Sequence, residues 1–158
     1  MDKTDKKILQ LLQQDTNIST SELAAAVGLS TTPCWRRVQR LENEGVISAR
    51  VALLDRNKLN LGIDVFVAVK TNQHNWEWLS NFSETVSKFP EVVEFYRMAG
   101  EADYLLRVVV PDIAAFDAFY KKLVQTTDLS DVSSSFAMEQ IKYTTALPLE
   151  YATTRKPA

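Results

Sequence analysis

The sequence predicts an α+β chain in two parts, and three observations carry that prediction. Over the first third, apolar residues recur at helical spacing and are broken only by short polar turns. Beyond residue 60 the pattern switches repeatedly between runs rich in β-branched residues and helical stripes. Between the two, Asp55 to Asn60 is polar and turn-rich, which places a boundary near there.

Composition limits what the two parts can be. The 158 residues are 46% hydrophobic and 24% charged, enough apolar material for one domain or two small ones and too much for a disordered chain. The longest unbroken apolar run, Leu23 to Leu29 counting Gly28, is seven residues, whereas a membrane span needs about 20, so no membrane partner is expected. Met1-Asp2-Lys3-Thr4-Asp5 leads into no signal-peptide core, and the expected location is the cytoplasm. Cys34 and His74 are each the only residue of their type. An intrachain disulfide and a cysteine-rich zinc site are thereby excluded, and imidazole chemistry lacks partners. Cys34 is expected in a core, His74 in an exposed loop, and no cofactor, metal site or enzymatic activity is expected.

Asp2 or Thr4 can cap a first helix whose apolar face is Ile8, Leu9 and Leu12, and Asp15-Thr16-Asn17 ends it. Ser19-Thr20-Ser21-Glu22 has the S-x-x-E form of a capping box just ahead of Leu23, Ala24 and Val27. Gly28 suits the left-handed residue that closes this helix. Ser30 can cap a third helix almost at once, with Pro33 in its first turn, where a missing N–H costs little. Two helices joined by a short turn around glycine form the helix-turn-helix pattern.

Steps of about 100° along the third helix put Cys34, Val38 and Leu41 on the core side. Thr32, Arg36, Gln39, Arg40 and Asn43 fall opposite, with Trp35 (read as a packing residue) and Arg37 on the flanks. Gly45 stops the helix and Val46-Ile47 begins an extended segment. The chain carries a net charge of −2, yet residues 31–40 hold three arginines and no acid. Guanidinium, hydroxyl and amide groups on one outward face suit phosphates and base edges. Ser30, Thr31 and Thr32, with Pro33 behind them, sit at the positive end of the helix dipole, where a phosphate can seat. The expected contacts to double-stranded DNA are therefore Ser30, Thr31, Thr32, Pro33, Arg36, Arg37 and Arg40. The competing reading is a solvated face balanced by Glu42 and Glu44.

In the second part, residues 49–54 look like a strand and Asp64 to Lys70 like another. Residues 75–89 place Leu79, Phe82, Val86 and Phe89 on one helical stripe ended by Pro90. Val92 to Met98 and Tyr104 to Val110 read as two strands separated by Ala99-Gly100-Glu101-Ala102-Asp103. Asp112 caps a helix with the stripe Ile113, Phe116, Tyr120 and Leu123, and a last strand runs from about Val132 to Tyr143. The order β-α-β-β-α-β is the ferredoxin-like split unit, two helices covering one face of a sheet. The bare face should be apolar and needs cover, which points to sheet-to-sheet dimerisation. The expected division is a helix-turn-helix domain over 1–48, a linker with a strand over 49–61, the ferredoxin-like domain over 62–150 and a tail over 151–158. At the Gly100 turn, glycine permits a backbone turn or a close approach, and Asp103 offers a carboxylate to an ammonium group. An ordinary hairpin whose aspartate caps its own turn is the alternative.

Four ordered blocks now stand together: Asp2-Lys3-Thr4-Asp5-Lys6-Lys7-Ile8-Leu9, Leu23 to Ser30, Thr32-Pro33-Cys34-Trp35-Arg36-Arg37, and Leu41-Glu42-Asn43-Glu44-Gly45-Val46-Ile47. They resemble the N-terminus of the leucine-responsive/asparagine-synthase regulator (Lrp/AsnC) family, and the resemblance runs through nearly the whole chain. It implies a winged-helix-like DNA-binding domain whose third helix enters the major groove, working as a dimer. It also implies an effector domain in which small amino acids bind between dimers of an octamer. Carried over, the effector contacts are Met98, Ala99, Gly100, Asp103 and Tyr104, with Ser134 and Ser135 on the facing strand. The ending from Phe136 to Glu150 resembles a branch that responds to sulfur amino acids such as cysteine. A ligand-independent architectural DNA-binding protein is the alternative function.

Overall fold

The computed structural model describes residues 1–73, 75–126 and 128–152, so His74 and the last residues of the expected tail lie outside the described residues. The chain forms two compact units, Met1–Leu53 together with the chain from Lys142, and Leu54–Ile141.

Three helices make the first unit: α1 (Lys3–Gln14), α2 (Thr20–Ala26) and α3 (Thr31–Asn43). Asp2, not Thr4, caps α1, in a reciprocal box with Asp5. Ser19 and Glu22 form the expected box at α2. Gly28 and Gly45 close α2 and α3 with φ of 71° and 70°. In each case the two N–H groups after the helix return to its last turn, Leu29 to the Ala24 carbonyl and Val46 to the Leu41 carbonyl, both at 2.9 Å. Ile8, Leu9, Leu12, Leu23, Ala24, Cys34, Val38 and Leu41 form the core.

The strand expected at residues 49–54 is not formed. These residues pair with no strand among the described residues, and Val51, Leu53 and Leu54 are exposed. Of residues 137–143, only Ala137 still bonds to the sheet among the described residues, its N–H donating to the Asp64 carbonyl at 2.9 Å, and the last strand ends at Phe136. Beyond it, the Leu147 N–H donates to Gln13 Oε1 at 2.7 Å, and Leu149 packs against the helical core. The chain from Lys142 thus belongs with the helices rather than with the sheet, unlike the expected division at 150.

The second unit runs β1 (Ile63–Lys70), α4 (Trp76–Ser87), β2 (Val92–Arg97), β3 (Tyr104–Val110), α5 (Ile113–Thr126), β4 (Asp131–Phe136). Its antiparallel sheet has the order β2-β3-β1-β4, which is the ferredoxin-like arrangement. Val65, Val67 and Val69 of β1 and Leu106, Val108 and Val110 of β3 point into the core with Phe82, Val86, Phe116, Phe119 and Leu123 of the helices. Ile113 is exposed instead of buried, while Phe119 is 1% exposed. The buried stripe of α5 is therefore turned toward Phe119, whose burial contributes about 1.5–3 kcal/mol.

The opposite sheet face is not uniformly apolar. Phe66 and Ala68 lie there beside an ionic network. Asp64 accepts from Arg56 and, at 3.0 Å, from Arg107 Nε; Arg107 Nη1 reaches Glu94 at 2.6 Å, and the Tyr96 hydroxyl donates to Glu94 at 2.8 Å.

Candidate nucleic-acid interface and effector turn

The entry to α3 is open. Ser30, Thr31, Thr32 and Pro33 are exposed, and the Ser30 hydroxyl makes no cap bond. The first N–H groups of the helix are thus left without a side-chain acceptor, and an anion can take that role. Arg36 is exposed and forms no ion pair with the described residues.

The other two arginines stand differently from the expectation. Arg37 Nη1 is 2.6 Å from Asp2 and 2.7 Å from Asp5, and Arg40 Nη2 is 2.7 Å from the second Asp5 oxygen. Asp5 is 1% exposed. Burial works to raise its pKa, but the bonds from the Asp2 N–H and Arg37, with the charge of Arg40, outweigh it and hold the carboxyl below its ordinary range. The bonds to Asp2 and then Asp5 raise the Arg37 pKa further. Gln39 is engaged as well, donating to Glu42, which also holds Arg50. Cys34 is buried, and burial pushes its thiol pKa up. Trp35 is half exposed on the rim of a cavity of about 310 Å³ walled by Leu12, Ile18, Leu23 and Val38.

Sequence reasoning missed Asp2 and Asp5 as partners of the arginines. Their D-x-x-D spacing is itself a capping-box signal, and it marks where two carboxylates converge.

In the second unit the β2–β3 turn is pinned from both sides. The Met98 N–H donates to the Asp103 carbonyl at 2.8 Å, and the Asp103 N–H to the Val69 carbonyl at 3.0 Å. Asp103 Oδ2 accepts from the Thr71 N–H at 2.9 Å. Asp103 is half-buried, and its Oδ1 has no donor among the described residues. Met98, Ala99 and Gly100 are exposed, and the N–H groups of Gly100, Glu101 and Ala102 make no hydrogen bond with the described residues.

Tyr104 sits apart from these. It is 5% exposed, and its ring packs among Phe82, Phe95 and Trp78 at 5.1, 5.8 and 6.1 Å. Ser134 and Ser135 are not gathered at the turn either. They lie across β1, level with Val67 and Phe66, and point to opposite faces of the sheet. Ser134 lines a separate cleft with Ile113, Phe116, Asp117, Tyr120 and Val132.

Gly100 does not adopt a positive φ, and a Cβ added there would meet no atom within 4 Å. Neither the turn nor the packing within the chain requires glycine. Among the described residues, no group of three or more His, Cys, Asp and Glu is placed to hold a metal ion, and no helix is long and apolar enough to cross a membrane.

Comparison with known proteins agrees with both halves. Residues 1–48 match the winged helix-turn-helix DNA-binding family and residues 64–147 the Lrp/AsnC ligand-binding domain. The chain is 56% identical over 151 residues to the DNA-binding transcriptional activator DecR of Escherichia coli K12, covering 95% of this chain and 99% of that one. It is 50% identical to the glutamate uptake regulatory protein of Zymomonas mobilis, over 94% and 91% of the two chains. The crystal structure of an AsnC family transcriptional regulator from Agrobacterium tumefaciens superposes with a TM-score of 0.95 at 62% identity, covering 97% of this chain and all of that one. A transcriptional regulator of Neisseria meningitidis in complex with L-Met gives 0.90 at 38% identity, over 95% and 97%. With an open helix-turn-helix and a ferredoxin-like sheet matched along their lengths, the chain belongs to the Lrp/AsnC family of DNA-binding transcriptional regulators.

Proposed function

We propose that this regulator works in the cytoplasm as a homodimer that assembles to an octamer, and that a small amino acid at the Gly100 turn changes its DNA binding or its assembly. The observation that carries the reading is the half-satisfied carboxylate of Asp103. One oxygen is fixed by the Thr71 N–H, and the other is free to accept an ammonium group. The unbonded N–H groups of residues 100–102 offer donors for the amino acid's own carboxylate. The likeness to a regulator bound to L-Met adds support and makes methionine and cysteine the first effectors to try.

On the DNA side, Arg36 and the Ser30–Thr32 entry of α3 are the contacts offered without rearrangement. Control requires that the effector favour one assembly or one DNA-binding geometry, because equal affinity for both shifts nothing. The exposed apolar residues on unpaired segments, Val51, Leu53, Met138 and Ile141 among them, support assembly with further copies.

The test is a thermal-shift screen of the full-length protein against the common amino acids. An effector at about 100 times its Kd stabilises a single-site protein by roughly 2.7 kcal/mol. A selective shift in the wild type that Asp103→Ala abolishes, with its basal DNA affinity intact, is the expected result. Equal shifts in both proteins would remove the ligand from this turn. Silence across the panel would leave a regulator whose DNA binding runs without an amino-acid signal.

A further inference from the structure

Two of the three arginines on the DNA-reading helix are already occupied by carboxylates of the chain itself. Asp2 and Asp5 stand at the first turn of α1 and brace each other. Asp2 Oδ1 accepts from the Asp5 N–H at 2.8 Å, and Asp5 Oδ2 from the Asp2 N–H at 3.0 Å. From this rigid seat they take Arg37 and Arg40 at 2.6–2.7 Å. Guanidinium holds carboxylate with the same charge-assisted, directional bonds that it makes to phosphate. Asp5 is closed in at 1% exposed, whereas Asp2 and the two arginines stay in reach of solvent. Arg40 keeps 48% of its side chain in solvent and Arg37 keeps 29%, next to Arg36, which has no ion pair among the described residues.

We propose that Asp2 and Asp5 serve as an internal anion for the reading helix, occupying Arg37 and Arg40 as a DNA phosphate would. They are specificity-determining positioning residues. The pairing fixes α3 against α1, and it withholds two positive charges from indiscriminate phosphate contact. Non-specific affinity is almost wholly electrostatic, falling with salt by about 0.9 log units per phosphate neutralised. Discrimination is the ratio of specific to non-specific binding. Holding two arginines internally lowers the denominator of that ratio while Arg36 and the Ser30–Thr32 entry remain available. The inference rests on the reading of α3 as the DNA-facing helix.

The experiment measures binding of the full-length protein to a short fluorescent duplex of arbitrary sequence across a range of salt. Asp2→Asn keeps the helix cap, because asparagine caps as well as aspartate, and removes one carboxylate charge from Arg37. Asp5→Asn removes the charge shared by both arginines. The slope of log K against log[salt] should steepen by about 0.9 for each phosphate newly contacted per engaged protomer. The affinity for arbitrary DNA at low salt should rise several-fold. In an Arg37→Gln background, Asp2→Asn should change neither.

An unchanged slope in folded Asp2→Asn would overturn the proposal, and so would a change of equal size without Arg37, since only an effect routed through that arginine fits. Asp2 is about half exposed, so this variant carries the test if Asp5→Asn fails to fold. Arg36→Ala checks the premise separately. If its slope does not become shallower, the reading of α3 as the DNA face fails, whatever the aspartates do.

Discussion

Asp5 in the helical unit and Asp64 in the sheet unit are both buried, and each is held by two arginines, but the two clusters are built differently. The partners of Asp5 sit three residues apart on one helix and lean outward, with 29% and 48% of their side chains in solvent. The partners of Asp64 come from a short 3-10 turn (Arg56–Leu59) and from β3, and they are 24% and 16% exposed. There Arg107 is shared with Glu94, which Tyr96 also binds, so the network closes on itself. Each cluster sets two arginines against two carboxylates, and Glu44 stands a further 3.7 Å from Arg40 Nε, so neither carries net positive charge. What differs is access. The arginines of the first keep more of their side chains in solvent, where an anion can reach them. Those of the second are more enclosed, suited to lying under another surface without stranding a charge. The same ion-pair chemistry thus stands on a partly open helix face in one unit and within a more enclosed sheet face in the other.

Substitution at the two aspartates sharpens the contrast. Breaking a buried pair by removing one partner costs about 3–5 kcal/mol when the remaining charge stays buried, and less as it gains water. Asp64→Ala should therefore destabilise the sheet unit by about 3 kcal/mol, and Asp5→Ala the helical unit by about 2 kcal/mol. Hydrogen exchange followed separately in the two units measures both. A larger loss at Asp5 would show that arginine exposure does not set the cost.

Acid should dissolve the clusters in a definite order. The bond from the Tyr96 hydroxyl, then that from Arg107, lowers the Glu94 pKa from an ordinary 4.5. The Asp5 N–H, then Arg37, lowers that of Asp2 from 3.8, and Asp5 is likewise depressed from 3.8. A carboxylate whose pKa is depressed in the fold contributes stability that is present above its unfolded value and is lost as pH falls through the folded one. The Glu94 contribution should begin to fade below 4.5, and that of Asp2 and Asp5 below 3.8. Acid titration with exchange read in each unit checks the order. Loss in the helical unit first would contradict it.

What the sequence revealed, and what it hid, follows from the range of each interaction. Ile8, Leu9 and Leu12 on α1, Cys34, Val38 and Leu41 on α3, the Ser19–Glu22 box and the left-handed Gly28 are all readable within a few residues, and all appear as read. The pairing of Arg37 and Arg40 with Asp5 spans 32 and 35 residues. Helical periodicity names a face but not the partner it meets. Likewise the alternation in β1 puts Asp64 opposite Val65 in facing, yet only the register with β3 brings Arg107 to it. Residues 49–54 and 138–143 read as strand in the sequence, but a strand also needs a neighbour, and none pairs with them among the described residues. At the Gly100 turn, local chemistry singled out Gly100 and Asp103. It could not foresee that the ring of Tyr104 turns into the core, whereas the opposite facing of Ser134 and Ser135 follows from the alternation of the strand that was read there.

The smallest predicted effect separates a glycine that the chain needs from one that it does not. Gly28 holds φ of 71° with open space around its missing side chain. Alanine there meets no clash but must adopt a left-handed backbone, costing about 1–2 kcal/mol. Gly100 has equal space and no positive φ. Gly100→Ala should therefore leave stability within about 0.5 kcal/mol of wild type. It should nevertheless weaken the amino-acid response, because a methyl group would stand where a ligand must come close to the turn's backbone. Denaturant unfolding of both variants, with a thermal-shift titration of Gly100→Ala by the effector, tests the pair. A wild-type response in Gly100→Ala would show that the ligand keeps its distance from this glycine. A large stability loss would show instead that the turn requires glycine for its own conformation.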